Sequence, residues 1–463
     1  MNQNVIDIEG NGLTVVGSID VESEIFQDFE ADGIAVIDAE DAEVELTRVE
    51  SLSNGDDGID FRGSTENVTA NINESTFNEN GDDGIDNFGD SNTLNLSRVE
   101  SAFNEAAGLE VDGTNNEINI ELSEFEANLD GLEVARNGVG NTFNITRSAF
   151  FDNTDDGLDL FGIENTFNLD SASSTGNAED GFEIDGSDNT VTGTTSLFGG
   201  NGADGFGDDA TSTGNTFTFS TSQFRQNGDD GFDIEGADQA ITLNNSVFED
   251  NAEAGFEIDG RDNQVTIENR SAFDGNLDGF LIDFQGINNT VNISDSGFRG
   301  NSDDGVDILG GQNTITLDNV EIELNEDQGF EIDGDNNEAT INDSFIFSNG
   351  VSGLTIDITG ADNNLVVNDT AIFTNDGDGI DILGDDNTLE LVETDIIGNG
   401  EWGLEVAGDN NFVTLGEDVT FLGNGNGAVV VTGENNTIEV LAGTNLSMDD
   451  IIDDGSNTTI EFA

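Results

Sequence analysis

A glycine recurs along this chain every 23 to 26 residues, and the aspartate that often stands immediately before it is the residue best placed to do chemistry. Asp57, Asp83, Asp130, Asp156, Asp180, Asp204, Asp230, Asp278 and Asp304 hold that position. Asp155, Asp229 and Asp303 stand one residue earlier as second carboxylates. Repeated turn carboxylates beside backbone carbonyls form an oxygen-only donor set, which suits calcium with its six to eight ligands in flexible geometry. These twelve aspartates are the candidate metal ligands, and calcium is the candidate cofactor. The alternative is diffuse solvation of an acidic face, as in proteins adapted to high salt.

Other chemistry is scarce. The 463 residues include no His, Cys, Tyr, Pro or Lys, and the nine basic residues are all Arg. Most nucleophiles and bases are therefore missing. A carboxylate pair can hydrolyse a glycosidic bond, but no pair here differs from the next, and an active site should break a repeat rather than obey it. The expectation is no enzyme and no catalytic residue. Trp402, the only tryptophan, reads as packing, with a sugar-stacking platform as its alternative.

The elements that must position the aspartates repeat with them. Asn, an acidic turn, Gly, an apolar-polar-apolar triplet, Gly, Asn-Thr, a second alternating run and an aromatic follow one another from Gly33 to Gly427. A fixed period near 24 residues means a stacked solenoid. Alternation of Val, Ile, Phe and Thr reads as strand, punctuated by Gly, Asn and Asp turns. The fold class is all-β: one continuous parallel β-helix over residues 1–463, with about 18 or 19 coils of three short strands. Phe182, Phe206, Phe232, Phe256, Phe280 and Phe330 form one inward ladder, with Ile59, Ile85, Leu109, Leu132, Leu158 and Ile380 in the same slot. Phe77, Phe125, Phe150, Phe198, Phe224, Phe248, Phe273 and Phe298 form a second. Asparagines three or four residues before the glycine, from Asn54 to Asn424, form a hydrogen-bonded turn ladder.

These coils resemble the right-handed parallel β-helix repeat superfamily, with its N-x-x-x-D-G-[apolar]-x-[apolar]-x-G-x-x-N-x-[apolar] pattern. The resemblance covers essentially the whole chain and implies the fold. It leaves function open among lyases, hydrolases, epimerases, adhesins and surface-layer proteins. Proton-abstracting Lys, His or Tyr and the histidine motif of polygalacturonase-like hydrolases are absent. One segment, Gly199 to Phe206, is similar to the calcium-binding nonapeptide of RTX-type secreted proteins, which implies export by a type I route.

A net charge of −91 excludes nucleic acid and anionic membrane as electrostatic partners. No run approaches the roughly 18 apolar residues of a membrane span, so no membrane insertion is expected, and no N-terminal signal peptide is seen. From Gly131 to Gly427 the steps run 26, 24, 24, a super-period of 74 residues whose longer coils start at Gly131, Gly205, Gly279 and Gly353. Both ends read as bare coil, which exposes strand edges for pairing with another chain. The expectation is a secreted or cell-surface, calcium-stabilised structural protein that assembles head-to-tail with itself into a filament, sheath or biofilm matrix. The alternative is a carbohydrate-binding or polysaccharide-processing β-helix module with glycans as partners.

Overall fold

A computed structural model of the chain describes Val5–Ile6 and residues 10–463. Every element in it is a β-strand except one turn of 3-10 helix, Met448–Asp450. The chain forms two compact units, residues 1–229 and 230–463, where the sequence reads as one uninterrupted domain. Each unit is a parallel β-solenoid, and between them they hold about 19 turns of roughly 24 residues.

One coil shows how the residues choose these elements. After Gly131 come Leu132–Val134, then Thr142–Thr146, then Ala149–Phe151. The middle strand alternates Thr-Phe-Asn-Ile-Thr, with Phe143 and Ile145 buried and the polar residues outside. Each strand pairs in parallel with its counterpart one coil on: Leu132 opposite Leu158, Phe143 opposite Phe167, and Phe150 opposite Ser174. Each unit thus carries a first, second and third sheet around an apolar interior.

The interior is the expected one. Both phenylalanine ladders and their aliphatic substitutes are buried. Phe125 stacks on Phe150 at 5.0 Å and Phe248 on Phe273 at 4.6 Å, while Phe182 meets Phe206 edge-on. The turn asparagines hydrogen-bond coil to coil: Asn80 Nδ2 donates to Asn104 Oδ1 at 2.9 Å and Asn349 Nδ2 to Asn375 Oδ1 at 3.0 Å. A second ladder, overlooked in the sequence, follows the second glycine. Asn141 N–H donates to Asn165 Oδ1 at 2.8 Å, and Asn165 Nδ2 donates to the Gly138 carbonyl at 2.9 Å. The leading glycines are forced by contact between coils, since a Cβ at Gly131 would stand 2.5 Å from the Gly157 carbonyl oxygen.

One end differs from the bare coil expected there. Val5–Ile6 runs antiparallel to Leu13–Val15, with Val5 opposite Val15, so this edge of the first sheet is covered by the chain's own backbone. The RTX-like segment forms an ordinary corner. Gly199 closes a third strand, Gly200 turns with φ of +70°, and Asn201 takes its place in the turn ladder.

Candidate functional site

The aspartate before each leading glycine has a structural task. Asp57 Oδ1 accepts the N–H of Asp83 at 3.1 Å, Asp130 Oδ1 that of Asp156 at 3.0 Å, and Asp278 Oδ1 that of Asp304 at 2.9 Å. Asp156 receives Asp180, and Asp180 receives Asp204, in the same way. One carboxylate oxygen therefore replaces a ladder acceptor and the other is left over. Asp57, Asp83, Asp130, Asp156, Asp230, Asp278 and Asp304 are buried, and Asp180 and Asp204 half-buried. Asp155 and Asp303 are half-buried and Asp229 exposed, outside the enclosed set.

The structure adds carboxylates that the sequence reading passed over, at the middle of each first strand. Asp60, Asp86, Asp159 and Asp307 face outward from their sheet yet are less than 10% exposed. Strand alternation places them outside, but the coils above and below and the neighbouring turn close over so short a side chain. Glu110, Glu133, Glu183 and Glu331, at the same position, reach farther and stay half-buried. Their signal in the sequence is an acid two residues after the glycine, repeated as regularly as the one before it.

Enclosing so many acids disfavours their charged forms. Burial first, then neighbouring carboxylates, pushes Asp159 up to about 9, Asp307 to about 9 and Asp381 to about 7. Asp57 rises to about 8 through burial, against the stabilising N–H of Asp83. Oxygens from Asp57, Asp60 and Asp86 lie within 4.8 Å of one another, as do those of Asp130, Asp156 and Asp159.

At the end of the first strand, the longer coils carry a turn closed by a backbone hydrogen bond. Gly138 N–H donates to Ala135, Ser212 to Asp209, Gly286 to Asp283 and Gly360 to Asp357, at 2.8 to 2.9 Å. A fifth such turn, Thr65 to Arg62, precedes the four found from the period. It was hidden because the step from Gly108 to Gly131 is 23 residues and breaks the rhythm. The residue at the tip is Gly63, Arg136, Ala210, Phe284 or Ile358. Arg136 lies over the Phe161 ring at 5.4 Å, and Arg62 reaches the carboxylates of its own sheet. Phe284 is 69% exposed and Ile358 75%.

In the second unit these tips adjoin paired acids. Asp259 lies beside Asp283 one coil on, and Asp333 beside Asp357. Burial first, then the charge of Asp357, pushes Asp333 up to about 6. An open groove of about 480 Å³ is lined by Phe284, Gln312, Asp333, Asn336 and Asp357. Trp402 is half-buried and packs against Gly427, where a Cβ would stand 2.6 Å from its ring.

The chain matches the family described as right handed beta helix region over residues 4–172, 164–322, 230–399 and 278–442. It belongs to the right-handed β-helix family. No curated protein matches it in sequence. Among solved structures it is similar to a mutant of a periplasmic alginate epimerase, at 11% identity and TM-score 0.34, over 76% of this chain and 77% of the other. It is similar to a pectate lyase at 18% identity and TM-score 0.26, over 64% and 70%. It is also similar to a tailspike protein of an E. coli bacteriophage solved with a pentasaccharide, at 10% identity and TM-score 0.27, over 92% and 73%. None of these matches supports the RTX likeness.

The expectation that this β-helix is no enzyme is corrected. The similar structures include an epimerase and a lyase. The physical error lay in equating acid–base chemistry near neutral pH with His, Lys or Tyr. Burial moves carboxyl groups of this chain into that range, as in Asp381 and Asp333. Among the described residues no helix is long and apolar enough to cross a membrane.

Proposed function

We propose that this β-helix acts on polysaccharide, with the groove beside Phe284 receiving the carbohydrate chain. The observation that carries the reading is an exposed aromatic ring and two neighbouring carboxyl groups, Asp333 and Asp357, lining one open groove. A ring exposed on one face offers an apolar platform for a sugar, and Gln312 and Asn336 offer amides to its hydroxyls. Burial and the neighbouring charge raise Asp333 to about 6, toward the range that general acid–base catalysis uses. Ile358, three coils beyond Phe284, extends the platform by about 14 Å. The similar epimerase, lyase and tailspike structures agree with a carbohydrate substrate.

The test is incubation of the full chain with neutral and uronate-containing polysaccharides, with and without calcium. Reducing ends report hydrolysis, ultraviolet absorbance of unsaturated uronides reports elimination, and proton NMR reports epimerisation. Electron microscopy of the same samples reads the competing structural role. Turnover or saturable binding that is lost in Phe284→Ala and Asp333→Asn supports the reading. Ordered filaments with neither binding nor turnover refute it.

A further inference from the structure

The first sheet of the unit spanning residues 1–229 repeats one diagonal: the aspartate before the glycine of one coil, and the mid-strand carboxylate of the next. Asp32 and Asp60 make the first such pair, Asp57 and Asp86 the next, and Asp130 and Asp159 another. In the first pair the space between the acids is filled. Arg62 Nη2 donates to Asp32 Oδ2 at 2.7 Å, and Arg62 Nε donates to Asp60 Oδ2 at 2.6 Å. Asp32 is fully buried, so its charge is matched by the guanidinium and not by water. The chain has put its own cation into one inter-coil slot.

No arginine bridges Asp57 to Asp86 or Asp130 to Asp159, and Arg62 touches the Asp57–Asp86 slot only through Asp60 Oδ2. Each slot instead gathers a third buried carboxylate, Asp60 in the first and Asp156 in the second, with oxygens within 4.8 Å of one another. The Oδ1 atoms of Asp86 and Asp159 are buried and accept no hydrogen bond. An acceptor enclosed without a partner costs roughly 1–3 kcal/mol, more if charged, and two such atoms recur at equivalent places. The ladder bonds of Asp57 and Asp130 occupy only one oxygen each. Every donor is a hard oxygen, and the chain has no imidazole or thiol to offer a softer metal. Three crowded carboxylates call for more than one positive charge.

We propose that divalent calcium binds at two sites in this sheet, one held by Asp57, Asp60 and Asp86 and the other by Asp130, Asp156 and Asp159. Arg62 is the built-in substitute that closes the row of slots at the Asp32 coil. The mid-strand aspartates are the decisive ligands, because Asp86 and Asp159 bring a fully buried oxygen that accepts no hydrogen bond. The site is independent of the carbohydrate reading.

The experiment uses the full chain, stripped with chelator and titrated with calcium by calorimetry at fixed ionic strength and neutral pH, with thermal melting in parallel. Asp86→Asn and Asp159→Asn each remove one equivalent of calcium, and each melts no lower than the wild type in chelator but gains less from calcium. Arg62→Gln takes up one equivalent more than the wild type. Magnesium competes at least tenfold more weakly. The proposal is overturned if the wild type gains no melting temperature from calcium beyond a salt control of equal ionic strength. It is also overturned if Asp86→Asn and Asp159→Asn titrate with the wild-type stoichiometry. Should Arg62→Gln not fold in chelator, recovery of its strand signal by calcium and not by sodium supports the equivalence of the slots, and failure of both refutes it.

Discussion

Asp381→Asn should make the protein more stable at alkaline pH and leave it unchanged in acid. Asp381 is mid-strand in the first sheet of the unit 230–463, and its Oδ1 is buried without a partner. Burial first, then the charges of Asp378 and Glu405, raises it from 3.8 to about 7. A folded-state value above the unfolded one means a stabilising contribution that is fully present below about pH 4 and lost as pH climbs to 7. Three units at 1.36 kcal/mol each set an upper bound of about 4 kcal/mol, which solvent screening of a half-buried group brings to about 2 kcal/mol. Asparagine keeps the shape and removes the charge. Melting followed by circular dichroism, in chelator and low salt from pH 4.5 to 8.5, should show matching curves at the acid end. At the alkaline end the variant should lead by about 4–8 °C. A variant that melts below the wild type at pH 8.5, or a gap independent of pH, would refute the reasoning that burial and crowding govern this acid.

Other expectations follow from particular contacts. Asn165→Ala strips the acceptor from the Asn141 N–H and the donor from the Gly138 carbonyl, both buried. It should cost about 2–4 kcal/mol in urea unfolding, whereas Asn168→Ala on the outer face should cost under about 0.5 kcal/mol. Gly131→Ala forces a methyl to 2.5 Å from the Gly157 carbonyl and should cost more than about 3 kcal/mol. Gly200→Ala, with φ of +70° but open space around it, should cost about 1 kcal/mol by the same measurement. Phe284→Ala should leave melting within about 1 °C, because the ring is 69% exposed, while weakening glycan binding by about tenfold in calorimetry.

The period carried the fold because each coil repeats the same inward slots, so Phe182, Phe206 and their equivalents announce one another. The turn asparagines were legible for the same reason. The aspartates before the glycines were visible, but not their use of one oxygen as a backbone acceptor, which depends on coil-to-coil register. The mid-strand acids were hidden by a sound rule applied too simply. Outward residues of a strand are usually wet, yet Asp86 and Asp159 are short enough for neighbouring coils to enclose them. The nearness of Asp333 to Asp357 was illegible because it joins residues 24 apart through the coil-to-coil register. The tip residues escaped notice because Gly63, Arg136, Phe284 and Ile358 share a place while differing in chemistry.

The ladders have directions: each asparagine amide is received by the side chain of the coil that follows, as Asn141 is by Asn165 and Asn165 by Asn189, while the aspartate ladder runs back, as from Asp83 to Asp57. A coil thus asks of its successor only a matching corner, not a particular sequence. Excising residues 279–352, one whole 74-residue period, would bring the corner of the Gly255 coil against that of the Gly353 coil with every acceptor still in place. Extent along the axis is therefore something that unequal recombination can lengthen or shorten in increments of three turns, without any new fold having to be found.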